Sequence, residues 1–166
     1  MGAEDDDSEE GGDEWQNRRL EVTHGEARAV IEAQNETMTD IDDKAMRTVR
    51  LTAALIGVLV AAIQFAPAIF HDGFLLAGIV LLIISMIVGI VTYDESNLYL
   101  GPRGEYIEAL SADAFADDHW DQDLLETFAG MIAENYDDIQ WNARLLRWSL
   151  RLLISGLVVA VASILI

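Results

Sequence analysis

Three stretches of this 166-residue chain carry almost no charge, and they limit what it can fold into. Leu51–Phe70 is 20 residues with no charge and one amide, Gln64; Gly73–Tyr93 is 21 residues with no charge; Ser149–Ile166 is 18 residues with only Arg151, near its start. A helix rising about 1.5 Å per residue needs roughly 20 residues to cross about 30 Å of hydrocarbon. The first two blocks meet that length, and the third meets it when Arg151 reaches back to the headgroups. Burying three such helices inside a soluble domain would leave little polar sequence to cover them. The chain therefore reads as an all-α integral membrane protein, with three transmembrane helices and cytoplasmic helical stalk extensions. Its segments are an acidic, disordered tail over 1–14, a cytoplasmic helix over 15–50 leading into the first span, spans over 51–70 and 73–93, a cytoplasmic helical region over 94–146, and a last span over 147–166.

Charge sets the orientation. The chain has 10 Lys+Arg against 29 Asp+Glu, a net charge of -19, and six of the ten cations lie within a few residues of an apolar block. Positive charges flanking a span stay cytoplasmic. Lys44, Arg47 and Arg50 place the N-terminus inside; Arg144, Arg147 and Arg151 hold the start of the third span on the same side. A short outer turn at His71–Asp72 then joins the first two spans, and the C-terminus falls at the outer face. Tyr93 and Trp148 sit at the expected cytoplasmic interfaces, where an apolar ring with a polar edge is well placed. No basic segment opens the chain, so the first span is expected to act as its own insertion signal. The remaining acids are spread over every polar region, and Lys44 is the only lysine. Such a surface resembles proteins of salt-accumulating halophilic archaea, where screening over a few Å makes self-repulsion cheap.

Small residues mark where the spans expect to pack. Ala53, Gly57 and Ala61 are spaced by four in the first, Ser85 and Gly89 in the second, Gly156 and Ala160 in the third. Small residues at this spacing let helix backbones approach closely in lipid, which favours a tight bundle or a homo-oligomer. Two apolar stripes lead into the membrane. One is Ile31, Gln34, Met38, Ile41, Ala45 and Thr48; the other is Leu125, Phe128, Ile132, Asn135, Ile139, Asn142, Leu146, Ser149 and Leu153. Both step alternately by three and four, a narrow seam suited to helix–helix contact and to a protein partner at the stalk. Asn135 and Asn142 in the second seam either fix register or face water at its edge. A short helix is expected over Glu105–Leu110, and a loop over the acid-rich run after it.

Catalytic material is sparse. Cysteine is absent, the three histidines (His24, His71, His119) are far apart, and no motif for a catalytic metal, a nucleophile or a phosphate loop occurs. The run Asp117–Asp123 is the densest candidate for a cation site, with a solvated helix start as the plainer reading. The sequon at Asn35–Thr37 falls on the cytoplasmic side. Gln64 either lines a pore, bonds across helices, or reaches the outer interface. No charged relay crosses the spans, and no cofactor is expected. Nucleic acid is disfavoured as a partner, since Arg103 is the only cation between Asp94 and Ala143.

The segments "DIDDKAMRTVRLTAALIG", "SNLYLGPRGEYIEAL" and "DLLETFAGMIAENYDDIQWNARLLRWSLRLLISGL" together resemble the transmembrane effectors of Pycsar-type anti-phage systems and the related SLATT effectors. The likeness covers about residues 40–166, and its pattern positions here are Asp42, Lys44, Ala45, Tyr106, Leu124, Leu125, Glu126, Asn135, Arg144 and Arg147. The resemblance implies a non-enzymatic, membrane-disrupting or pore-forming effector answering a cytoplasmic signal, often a cyclic nucleotide. This chain departs from that pattern: it has no separate nucleotide-binding domain and almost no basic pocket for a phosphate. Sensing then falls to a partner subunit, or the chain has another task. The alternative is a membrane protein whose cytoplasmic stalk scaffolds another protein.

Overall fold

The computed structural model describes residues 10–94, 98–111 and 120–165, with side chains described at 18–94, 98–109 and 122–165. Every regular element there is helical: α1 (Glu10–Phe65), a short 3-10 helix (Pro67–Ile69), α2 (Asp72–Asp94), α3 (Gly104–Ser111) and α4 (Trp120–Leu165). Three of these, α1, α2 and α4, contain stretches long and apolar enough to cross a membrane. Two compact units are formed, one by Met1–Asn35 with Tyr99–Tyr136 and the other by Glu36–Leu98 with Asp137–Ile166.

Several boundaries differ from the sequence reading. Helix α1 begins at Glu10, ahead of the expected start near Trp15; the rest of the tail lies outside the described residues. The first apolar block does not stay helical to Phe70. Pro67 supplies no N–H and disfavours helical geometry at the residue before it, so Ala66 takes φ -146° and ψ 61° and α1 ends at Phe65. The link to α2 is thus longer than a His71–Asp72 turn, and its end is tied down by the His71 N–H donating to the Ser163 carbonyl at 2.8 Å.

In the second unit the buried positions obey one rule. On α2 they are Leu75, Gly78, Leu82, Ser85, Gly89 and Thr92, stepping three and four alternately. On α4 the same step continues the expected seam through Leu153 to Gly156, Ala160 and Ser163. A sustained seven-residue repeat keeps one narrow line against its neighbours. Helix α2 runs antiparallel to α4. A side chain at Gly78 would meet the Ala160 backbone N at 2.8 Å and the Gly156 carbonyl at 2.9 Å, and one at Gly89 would meet Val49 at 2.8 Å. Seven residues above Gly78, Ser85 Oγ donates to the Ser149 carbonyl at 2.7 Å, and Ser149 Oγ donates to the Ser85 carbonyl at 2.9 Å. This reciprocal clasp satisfies both hydroxyls where water is excluded, each bond contributing about 1 kcal/mol. Thr52 and Thr92 satisfy theirs on the carbonyls of Thr48 and Val88. Met38, Ile41, Ala45 and Leu146 close the other end of the unit.

Ala53, Gly57 and Ala61, expected on the packing face of α1, lie on its exposed side. Their constant step of four drifts around a helix of about 3.6 residues per turn. The line that meets α2 and α4 instead runs through Ala45, Thr48 and Thr52, then the half-buried Leu55, Leu59 and Ala62. The most apolar stretch of α1 is 11% buried, against 28% in α2 and in α4, so α1 is the least enclosed of the three.

Two glycine substitutions separate these faces. Gly78→Ala is expected to force α2 and α4 apart and cost about 1–3 kcal/mol, read as a lowered thermal midpoint in detergent. Gly57→Ala, with nothing within 4 Å of the new methyl, is expected to be neutral or stabilising by about 0.5–1 kcal/mol.

Candidate functional site

The first unit is built where α1 and α4 run parallel beside the extended residues Tyr99 and Leu100. Ile31, Phe128 and Met131 form its core, with Ala27, Tyr99, Leu124 and Ile132 packed against it. At its centre Asn135 is fully buried. Its Oδ1 accepts from the Tyr99 N–H at 2.8 Å, and its Nδ2 donates to the Tyr99 carbonyl at 2.9 Å and to Gln34 Oε1 at 3.3 Å. Gln34 Nε2 in turn donates to the Ile132 carbonyl at 2.9 Å. One side-chain amide thus does for Tyr99 what a neighbouring strand would do, pairing both backbone groups of a segment that has no ladder of its own. Between register and water-edge, Asn135 therefore takes the register role. The stripes containing Gln34 and Asn135 were visible in the sequence; Tyr99 as the backbone partner of Asn135 was not, since nothing local marks it.

Beyond Tyr99 the chain turns through Gly101–Pro102 into α3. Arg103 lies over the Tyr99 ring at 5.5 Å and donates to its hydroxyl at 3.3 Å. Tyr106 Oη donates to Asp123 Oδ2 at 2.8 Å, which ties α3 to the start of α4. Burial raises the Tyr106 phenol above its ordinary 10.0, and the bond to Asp123 raises it further because ionisation would place two anions together. Of the candidate cation run Asp117–Asp123, Asp117–His119 and the side chains of Trp120 and Asp121 lie outside the described residues. Among the described residues no three His, Asp or Glu side chains gather to hold a metal ion.

An open groove of ≈ 550 Å³ runs along this unit. His24, Arg28, Glu32 and Asn35 of α1 form one wall, Leu124 and Phe128 of α4 the other, with Leu100–Pro102 between them. The His24 ring stands edge-on to Phe128 at 5.1 Å. The groove offers one guanidinium, one imidazole, one carboxylate and an aromatic face. Of the family-pattern positions, Leu124 lines this groove, Leu125 is half-buried and Glu126 exposed. Asp42 and Lys44 belong to the other unit; Asp42 is half-buried, Lys44 pairs with Asp40 at 3.4 Å, and Ala45 is fully buried.

Asn142 contrasts with Asn135. It is 1% exposed, its Nδ2 meets Met38 Sδ at 3.5 Å, and its Oδ1 has no hydrogen-bond partner among the described residues. An unpaired buried acceptor costs about 1–3 kcal/mol. The six boundary cations are all exposed.

No family model matches the sequence, no curated protein matches it, and no solved structure matches the fold.

Opposite effects are expected from one substitution at the two asparagines. Asn135→Leu strands both Tyr99 backbone groups and speeds hydrogen exchange of the Tyr99 amide by about 10- to 100-fold. Asn142→Leu removes an unpaired acceptor and raises stability by about 1 kcal/mol in a denaturation series. A third expectation concerns pH. The Tyr106 contribution is complete below pH 10.0 and is lost as pH rises through the higher folded value; alkaline titration of Tyr106→Phe lacks that step.

Proposed function

We propose that this chain is a non-enzymatic integral membrane protein that crosses the bilayer three times, with its N-terminus and residues 94–146 in the cytoplasm, and that it acts by perturbing the membrane. The observation carrying this reading is that the second unit is inside-out. Thr48, Thr52, Ser85, Thr92, Asn142, Ser149 and Ser163 are buried, whereas Leu51, Val58, Phe65, Leu76, Ile87, Ile154 and Val158 are exposed. In water that arrangement is unfavourable at every position; in lipid it is the favourable one.

The same arrangement supports an effector role. The helices are held by glycine contacts and hydroxyl-to-carbonyl bonds rather than by large interlocking side chains. Displacing one of them exposes a line of hydroxyls and amides to whatever enters. Three helices enclose no aqueous path alone, so assembly of several copies belongs to this reading. The Pycsar-like and SLATT-like resemblance supplies the setting, a nucleotide-signalled antiviral response in which a partner carries the sensor. The acidic surface, at a net charge of -19, suits a halophilic cell. A second reading, a scaffold that recruits a protein to its stalk, is favoured by the groove between His24 and Phe128 and needs no opening of the bundle.

Induced expression distinguishes the two. Under the effector reading, cells expressing the chain with its trigger take up a membrane-impermeant dye, and Ser85→Ala with Ser149→Ala changes the uptake several-fold by removing the clasp. Intact membranes under every trigger applied would contradict the effector reading and leave the scaffold.

A further inference from the structure

The two basic borders are not alike. On α1, Lys44 pairs with Asp40 at 3.4 Å and Arg47 with Asp43 at 3.6 Å. On α4 the three arginines have no carboxylate within ion-pairing distance among the described residues. Arg144 Nη2 donates to Gln140 Oε1 at 3.2 Å, Arg147 Nε donates to the Ala143 carbonyl at 3.1 Å, and Arg151 lies over the Trp148 ring at 5.3 Å. Each guanidinium is steadied by a neutral group on its own helix and keeps its full charge. The nearest acids along α4, Asp137 and Asp138, are about two turns before Arg144. Arg50 on α1 likewise has no ion pair among the described residues; what sets the α4 border apart is that its three guanidiniums stand on one line of the helix.

The side chains beyond the arginines on the same line identify the anion that fits them. Arg144, Arg147 and Arg151 step by three and four, and the next positions in that step are Ile154, Val158, Val161 and Leu165. These four are 60%, 61%, 49% and 81% exposed, on the side of α4 away from its buried seam. The stripe therefore changes from three guanidiniums to bare aliphatic side chains within one turn. A free phosphate would meet only the upper half. A lipid meets both, its phosphate on the guanidiniums and its acyl chain along the aliphatic line, with Trp148 at the interface between them.

We infer that the outward stripe of α4 is a binding site for an anionic membrane lipid, with Arg144, Arg147 and Arg151 taking the headgroup phosphate. The inference rests on the membrane reading above. Protein purified in mild detergent is offered phosphatidylglycerol or phosphatidylcholine and the retained lipid is counted by native mass spectrometry; flotation with vesicles of either lipid is run in parallel. The wild-type chain is expected to retain phosphatidylglycerol preferentially. Arg144→Gln, Arg147→Gln and Arg151→Gln together are expected to weaken retention on the order of 100-fold at low salt, about fivefold per arginine. The three Arg→Lys changes keep most of it, and Arg18→Gln with Arg19→Gln leaves it unchanged. If the triple Gln protein fails to fold, the single variants report the same ranking. Equal retention of both lipids, loss of preference in the Arg18/Arg19 control, or full displacement by inorganic phosphate overturns the inference. Failure to float with either vesicle overturns the membrane reading instead.

Discussion

Everything in the second unit depends on helices that touch along one line, where small residues between buried leucines let the backbones approach. The line is set by a step of three and four, and at the contact points the sequence places Gly78, Gly89, Gly156 and Ala160. Backbones then come close enough for Ser85 and Ser149 to reach each other's carbonyls. Both hydroxyls are buried, so these bonds supply the partners that water cannot. A larger residue at the crossing removes the contact and the clasp together, so packing and polar satisfaction are one constraint here.

That constraint has a consequence for polarity. The described helices of this unit bury hydroxyls and amides and display many aliphatic side chains, the arrangement that the proposed membrane setting favours. The stalk unit obeys the opposite rule, with an apolar core of Ile31, Phe128 and Met131 under an acidic surface. Among the described residues its buried polar side chain, Asn135, is fully paired, while Asn142, seven residues on in the same seam, is not. A paired amide fixes a register; an unpaired one weakens the seam where it lies, which suits a bundle proposed to change its packing.

Both seams were legible in the sequence because the seven-residue repeat survives in plain residue types. The buried residues Ile31, Met38, Ile41, Ala45 and Thr48, and Phe128, Leu146, Ser149 and Leu153, are ones the spacing indicates. The face of the first span that meets α2 and α4 within one chain was not legible, because Ala53, Gly57 and Ala61 are out of phase with it and lie exposed. The end of α1 was misplaced because apolar content continues to Phe70 while Pro67 stops the helix. The Tyr99 clamp depends on residues 36 positions apart, and no local pattern encodes such a pairing. The chemistry of the groove was invisible for the same reason: His24 and Phe128 meet only in the fold.

Whether three helices lie in lipid with the stalk inside the cell is decided most directly by thiol labelling, since the native chain has no cysteine. Single Glu126→Cys and His71→Cys proteins would be exposed to a membrane-impermeant maleimide in intact and in permeabilised cells. The proposed topology, which rests on the arginine placement, predicts labelling at 71 in intact cells and at 126 only after permeabilisation. Labelling at 126 in intact cells, or recovery of the chain in the aqueous fraction without detergent, would contradict it.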